Sequence, residues 1–435
     1  METKVERIQK DIESLAQYSQ VRGIGCTRYT YTKEFAQARD YIVSQMKAAG
    51  LSVREDAVGT VVGRMEGRDP SAPIIMTGSH FDTVKTGGRF DGAAGVVAAL
   101  EAARTLHEEG FVPERPIEFV ALPEEEGARF GGGLFASRAM CGQLYENELE
   151  TYKDSQGVSM AQAMREYGLD PAKVHEARRE KGEIDMFLEL HIEQGPVLEN
   201  EKVDVGVVEA IVGIKCLTVY VHGRSDHAGT TPLNMRADSM LAAARAIVAG
   251  TDKARELADG TVVTFGRVET QPGAFNIVAK ETLFDIDCRS KTLESVDQVI
   301  AAVRASLEQS QAENQGLSFE MVEKLTAQPV LMKPEVQELL EQQAREAGIS
   351  TRKMLSGAGH DAMVMGSLCD VAMIFVPSKG GRSHVPEEWT DYEDLRKGAE
   401  LLCRCLRKLD NMFMYSEYTF RFSIPAAMLM TGIMM

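Results

Sequence analysis

Six residues of this chain have the types and placing to do chemistry: His80, Asp91, Glu125, Glu126, His191 and His384. Each stands at or just beyond the end of a short apolar run. Residues 73–77 lead into Gly78-Ser79-His80-Phe81-Asp82, and a glycine-rich loop then brings Asp91 to the head of a periodic apolar helix. Residues 117–122 are followed by Glu124-Glu125-Glu126-Gly127, residues 186–190 by His191, and residues 371–376 by a Gly-rich loop carrying His384. In an open α/β sheet, ligands bind beyond the carboxyl ends of the strands. Four runs that each release His or carboxylate there converge only if the strands lie side by side in one sheet.

Imidazole together with carboxylate suits zinc, manganese, cobalt or nickel better than calcium or magnesium. His80, His191 and His384 supply nitrogen, while Asp91 and Glu126 supply oxygen, and one carboxylate can bridge two ions. Such a ligand set leaves positions open, as catalysis requires. Paired ions can lower the pKa of a shared water from about 15.7 toward about 7. Glu125 neighbours a ligand on extended chain, so the two side chains point to opposite sides. One of them can bind metal while Glu125 acts as general base. Taken singly, each residue has a plainer reading: Asp91 as a helix cap, Glu124–Glu126 as a solvated charge run, His191 as a core histidine. His107 and His175 sit on charged helices and receive no role. The loop at 87–95 matches no phosphate-binding pattern.

The elements that must position these residues follow from periodicity. Helices are expected over 4–20 and 31–49, strands near 52–55 and 59–65, a charged helical insertion over 145–182, and a final helix near 392–409. From about 213 the character changes. A strand at 214–221, a loop at 224–232, a helix at 235–249, strands at 261–268 and 277–287, a helix at 295–310 and a strand at 317–322 give the order of a ferredoxin-like domain. The expectation is an α/β protein whose mixed-sheet domain comprises 1–212 and 330–411, with a second domain, 213–329, inserted into it. Residues 412–435 form a Met-rich tail without an assigned role; its uncharged run, 422–435, is too short for a membrane span.

Composition narrows the partners. The 435 residues carry 48 basic and 65 acidic side chains, a formal charge of −17, which argues against nucleic acid and anionic membranes. Seven scattered cysteines without a CxxC pair read as reduced thiols of a cytoplasmic protein. The N-terminal stretch is an amphipathic helix and not a signal peptide.

The stretches GSHFDTVKTGGRFDGAAGV (78–96), PEEEGARF (123–130), ELHIEQGP (189–196), DHAGTTPLNMRAD (226–238), SGAGHDAM (356–363) and VPSKGGRSHVPEEW (376–389) resemble the hydantoinase/carbamoylase branch of the M20 metallopeptidase-like amidohydrolases. That branch includes N-carbamoyl-L-amino acid hydrolases, allantoate amidohydrolases and β-ureidopropionases. The resemblance, from about residue 4 to 410, implies a dinuclear metallohydrolase with a lid and dimerisation domain inserted. It implies that His80 and His191 hold one divalent ion, Glu126 and His384 the other, that Asp91 bridges, and that Glu125 is the base. Asp82 matches an acid that fixes the tautomer of the His80 ring. His227 matches a histidine that supports the oxyanion, Asn276 and Arg289 match residues that grip a substrate carboxylate, and Gln194 and Gly381 match further substrate contacts. A guanidinium fork suits that carboxylate. The implied reaction releases ammonia, carbon dioxide and an amino acid from an N-carbamoyl-L-amino acid, in a homodimer whose active sites are shared between subunits. Allantoate and N-carbamoyl-β-alanine are the nearest alternative substrates. A peptidase or aminoacylase is further off, because those branches usually carry a carboxylate where His191 stands.

Overall fold

The computed structural model describes residues 2–21 and 23–421, with backbone only for 413–421. The chain divides into two compact units. One runs up to Glu209 and includes Met332–Met354 and the chain from His360 onward; the other is Ala210–Leu331 with Leu355–Gly359.

The first unit is built on a mixed sheet in the order Ser52–Glu55, Val61–Met65, Ile117–Leu122, Ile74–His80, Ile184–Ile192, Asp370–Val376, Val205–Ile211. Its four central strands, from Ile117–Leu122 to Asp370–Val376, run parallel. Ile74–His80 and Ile117–Leu122 are buried along their whole length. Strands covered on both faces read as continuous apolar runs, which is how they stand in the sequence. All four carboxyl ends therefore emerge along one edge.

Helices cover this sheet. Val5–Gln17 buries Ile8, Ile12 and Leu15, one helical stripe. Ala93–Glu108 is buried at every position from Ala93 to Ala103, and its many alanines let it lie close on the strands Ile74–His80 and Ile184–Ile192. A Cβ at Gly95 would stand 2.2 Å from the carbonyl oxygen of Leu190. The fully buried Arg28 pins the turn after His80: its Nε donates to the Phe81 carbonyl at 2.5 Å and its Nη1 to that of Leu15 at 2.7 Å.

The second unit has an antiparallel sheet ordered Ser318–Ala327, Gly213–His222, Glu281–Ser290, Val262–Thr264. Glu281–Ser290 alternates buried and less buried residues. Its inward side chains Phe284, Ile286 and Cys288 pack with Val219, Val221 and the helices Ser239–Leu257 and Leu293–Glu313. The order of elements is the ferredoxin-like one.

Four details depart from expectation. The single strand at 261–268 is two, Val262–Thr264 and Val268–Gln271, both paired to Glu281–Ser290; Gly266 lies in the break, and glycine weakens a strand interior. The helix placed at 235–249 starts at Ser239 and runs to Leu257, because the Asp238 carboxylate caps it by accepting from the N–H groups of Met240 and Leu241, both at 3.1 Å. Residues 355–359, assigned to the first domain by sequence order, group with the second unit: Val212 N–H donates to Ser356 O at 3.0 Å, and Arg289 Nη1 to Gly357 O at 2.6 Å. The last helix, Tyr392–Arg421, extends beyond 409. Among the described residues no helix is long and apolar enough to cross a membrane. The uncharged run 422–435 lies outside the described residues.

The contact at Gly95 sets two effects against each other. Alanine is the better helix former by about 1 kcal/mol, while overpacking a filled interior costs about 1–3 kcal/mol. Because the obstruction is backbone, Gly95→Ala is expected to lower the urea unfolding midpoint with the slope unchanged. A midpoint equal to or above that of the parent contradicts the close helix–strand approach.

Candidate metal centre

The parallel strands bring His80 and His191 level. Thr77 pairs with Leu188, and each histidine stands three residues further along its strand. Asp91 precedes Gly92, the N-cap residue of Ala93–Glu108, and meets that helix through its main-chain carbonyl, which accepts from Ala93 N–H at 2.6 Å. Its Oδ1 lies 3.1 Å from His191 Nε2 and 3.5 Å from His80 Nε2, while Oδ2 lies 3.2 Å from His384 Nε2. Glu126 Oε1 is 3.4 Å from His384 Nε2 and, though buried, has no hydrogen-bond partner. Glu125 Oε2 is 3.7 Å from His80 Nε2.

The far sides of two rings are already committed. His80 Nδ1 faces the Asp82 carbonyl at 3.2 Å and His191 Nδ1 the Ile192 carbonyl at 2.9 Å. A carbonyl only accepts, so each neutral ring carries its proton on Nδ1 and turns the Nε2 lone pair toward Asp91. A lone pair facing a buried carboxylate needs either a second proton or a cation between them. Two ligand atoms about 2.1 Å from one tetrahedral ion stand about 3.4 Å apart, close to the separations found. Three groups, His80–Asp91–His191, Asp91–Glu126–His384 and His80–Glu125–Glu126, have ligand atoms all within 4.8 Å of one another. The donor set fits divalent cations of the zinc and manganese type, and Asp91 belongs to two of the groups.

Backbone strain gathers here. Glu124 (φ 56°), Gln194 (φ 57°) and His384 (φ 59°) are all left-handed, a conformation that costs non-glycine residues of order 1–3 kcal/mol and collects at functional sites. Gly92 is required for space as well as for its φ of 63°, because a Cβ there would meet the His80 ring at 2.3 Å. Asp82 does more than expected. Its carbonyl, not its carboxylate at 3.6 Å, is the nearer partner of His80 Nδ1. The carboxylate accepts the N–H of Glu125 at 3.1 Å and of Glu126 at 3.2 Å, so it fixes the segment that carries both acids. Gln194 donates from Nε2 to Asp91 Oδ2 at 2.8 Å and keeps a buried, unpartnered Oε1. The Gly381 N–H is taken by Ser378 O at 3.0 Å.

His227, Asn276 and Arg289 belong to the second unit. His227 Nδ1 accepts from Gly229 N–H at 3.0 Å, which puts the proton of the neutral ring on Nε2, a free-standing donor type. Asn276 is exposed, and its carbonyl accepts from Ala228 N–H at 3.0 Å. Arg289 spends Nε and Nη2 on the Asp287 carboxylate, at 2.7 and 2.8 Å, and one Nη1 proton on Gly357 O. A guanidinium has five N–H donors, so two remain, enough for one further carboxylate.

Several residues around the centre escaped the sequence reading. Glu189 is fully buried and accepts from Ser79 Oγ at 2.8 Å and Ala362 N–H at 3.0 Å. His360 packs edge-on against the His191 ring, centroids 4.5 Å apart. Ser383 and Glu388 bind the Asp91 loop. All four lie within stretches that carry the family resemblance, but nothing in their spacing assigned them a contact with the centre.

Without a cation the cluster is electrostatically uphill. Burial, then the Asp91 charge, pushes Glu126 up to about 7. Burial raises Glu125 well above the carboxylate range, with His80 pulling back and Asp361 and Glu126 adding to the rise. Burial and Glu189 lift Asp361 to about 7, and burial and Asp82 lift Glu124 to about 8. The hydrogen bond to Asp91 raises His384 to about 9. Raised acids and a raised histidine share one sign: the folded chain holds protons that the unfolded chain has released. Stability of the cation-free protein is therefore expected to fall as pH rises from about 7 to 9. The depressed groups, Asp91 and His360, titrate below that window. The check is the denaturation midpoint in chelator at pH 7 and 9, repeated with excess manganese, which should flatten the slope. A midpoint that climbs with pH in chelator would contradict this electrostatic account.

Comparison with known proteins gives the family. The model of peptidase family M20/M25/M40 matches residues 76–408. An N-carbamoyl-L-amino-acid amidohydrolase of Paenarthrobacter aurescens is 46% identical over 407 residues, covering 94% of this chain and 98% of that one. An allantoate amidohydrolase of Bacillus subtilis is 37% identical, covering 92% and 96%. The crystal structure of an amidase of the hydantoinase/carbamoylase family from Burkholderia multivorans superposes with a TM-score of 0.84 at 30% identity, over 94% and 98% of the two chains. With strand-end histidines, a two-faced Asp91 and matches of this extent, the chain belongs to peptidase family M20/M25/M40.

Proposed function

We propose that this chain is a cytoplasmic N-carbamoyl-L-amino acid amidohydrolase that uses two divalent ions, zinc or one of manganese, cobalt and nickel, per active site. The observation that carries the reading is Asp91. Its two oxygens serve different histidine sets, with Glu125 beside them. The substrate class is supported by the 46% identical carbamoylase. Bound ions would polarise the carbamoyl carbonyl and make a water acidic at neutral pH. In this reading the chain's own residues do the rest. Glu125 takes the proton of the attacking water and delivers it to the amino-acid nitrogen as the C–N bond breaks. The carbamate left behind falls to ammonia and carbon dioxide. His227 donates from Nε2 to the developing oxyanion. Arg289 offers its two remaining N–H donors, with Asn276, to the substrate carboxylate. Gln194 and Gly381 line the substrate's path. The catalytic domain comprises 1–212 and 330–411 apart from the loop 355–359, and 213–329 acts as lid and dimerisation domain, with Arg289 serving the partner's site.

Allantoate is the second reading, favoured by the 37% identical relative. A panel of N-carbamoyl-L-amino acids, N-carbamoyl-β-alanine and allantoate, each with zinc, manganese and cobalt, decides between them. Carbamoyl-L-amino acids should have the highest kcat/KM, and a higher value for allantoate moves the assignment to it. On the best substrate, Glu125→Gln should lower kcat at least about 10²-fold with the ions retained, whereas Glu126→Gln should lose bound metal. The reverse pattern would show that the two roles are exchanged.

The shared site has its own test. Inactive Glu125→Ala and Arg289→Ala proteins are mixed and allowed to exchange subunits. About half the dimers are then mixed, each with one intact site, so about a quarter of parental activity should return. No recovery, with exchange confirmed by mass, rejects sharing between subunits.

A further inference from the structure

Glu388 has no part in the chemistry described above, yet it is 2% exposed and sits against the centre. Its Oε1 accepts the backbone N–H of Phe90 at 2.9 Å and of Asp91 at 3.0 Å. Its Oε2 lies 2.8 Å from Ser383 Oγ, and the same hydroxyl stands 2.7 Å from Asp91 Oδ2. One side chain therefore holds the Asp91 main chain and, together with Asp91 Oδ2, flanks the Ser383 hydroxyl, whose one proton lies between the two carboxylates. Room for it is made at Gly88, where a Cβ would fall 2.0 Å from Glu388 Oε1. Ser383 directly precedes His384, whose left-handed backbone turns the ring toward the same oxygen.

We propose that Glu388 is a positioning residue: with Ser383 it fixes the rotation of the Asp91 carboxylate so that Oδ1 and Oδ2 each serve a different ion. This rests on the two-ion reading of the centre. The physical case is one of rotation. Asp91 sits in a loop, and its carboxylate must present one oxygen to the His80–His191 side and the other to His384. Backbone bonds fix where the residue is, but not how its carboxylate is turned. A hydroxyl placed between Oδ2 and the fixed Glu388 carboxylate, its one proton within reach of both, sets the turn. Partners that orient metal ligands are typically worth 10–100-fold in metal affinity. Gln194 Nε2 also reaches Oδ2, at 2.8 Å, so removal of the Glu388–Ser383 arm should loosen the His384-side ion without abolishing the site.

The inventory of donors predicts which variants are tolerated. Ser383 has one hydroxyl proton and two carboxylate oxygens within reach. In Glu388→Gln the amide oxygen can still accept from Phe90 and Asp91, and the amide N–H can donate to Ser383 Oγ, leaving the hydroxyl proton for Asp91. In Glu388→Ala all three bonds go. In Ser383→Ala only the arm to Oδ2 goes, and both backbone bonds stay.

The test is a cobalt titration of chelator-stripped protein, followed by calorimetry and by the visible absorption of the bound ion. The parent should take two equivalents. Glu388→Ala and Ser383→Ala should keep the first and bind the second about 10–100-fold more weakly, with an altered cobalt spectrum. Glu388→Gln should restore second-ion affinity to within a few-fold of the parent. If Glu388→Ala does not fold, as judged by loss of its thermal transition, Ser383→Ala decides alone. Second-ion affinity and spectrum equal to the parent in the folded alanine variants overturn the proposal, as does a Gln variant no better than Ala. A parent that binds fewer than two equivalents instead overturns the two-ion reading on which the proposal rests.

Discussion

The contact on which the rest depends is the meeting of Asp91 with the Nε2 atoms of His80 and His191. Their outer nitrogens are spent on the carbonyls of Asp82 and Ile192, and Asp91 is only 5% exposed. Lone pairs and negative charge are thus held together out of water, an arrangement that a buried site tolerates only with compensating charge. The upward shifts of Glu126 and His384 are the same fact seen from the acid–base side. A divalent cation resolves both at once, because it takes the lone pairs and the charge together.

Holding such groups in place demands rigidity from the scaffold. Four parallel strands buried on both faces provide it, and three left-handed residues lie in the loops that leave them. Glu124, Gln194 and His384 pay left-handed φ values, and Gly92 gives up a side chain so that the His80 ring can lie against it. Strain of this size persists only where the surrounding packing over-determines it. The tightly packed helix Ala93–Glu108 is the element that does so beside Asp91.

How much of this was legible follows from how local each feature is. Strand-end histidines advertise themselves, because an apolar run stops and a ligand begins. The central sheet and the six chemical residues could therefore be read from the chain. Asp91 was ambiguous, since an acid before a helix is as good a cap as a ligand; only the aim of its carboxylate decides. Glu388 could not be read at all. Its bonds to Phe90 and Asp91 span 298 and 297 residues, and in sequence it is one of two adjacent acids in what reads as a surface charge run. Asp82 was recognised as a partner of His80, but its grip on the Glu125 and Glu126 amides depends on where two loops fall in space. The start of Ser239–Leu257 was legible in principle, because Asp238 is a good cap; the apolar residues before it obscured the boundary. The placement of 355–359 with the second unit is set by hydrogen bonds to Val212 and Arg289, for which sequence order gives no hint.

The second unit shows a complementary logic. Its polar residues are oriented by contacts made inside that unit: His227 by the Gly229 N–H, Arg289 by the Asp287 fork and the Gly357 carbonyl. The strand-end His80 and Glu125 of the first unit are likewise oriented by their own unit's backbone and by Asp82. Each group's orientation is thus set by contacts within its own unit. On the proposed reading, a guanidinium with three of five donors engaged and an imidazole with its proton on Nε2 would bring already oriented donors to a polar ligand. That lowers the ordering cost a polar ligand must overcome. On the same reading, Asp287 beside Arg289 is compatible with a carboxylate-binding role. The acid uses one edge of the fork and leaves donors enough for another carboxylate.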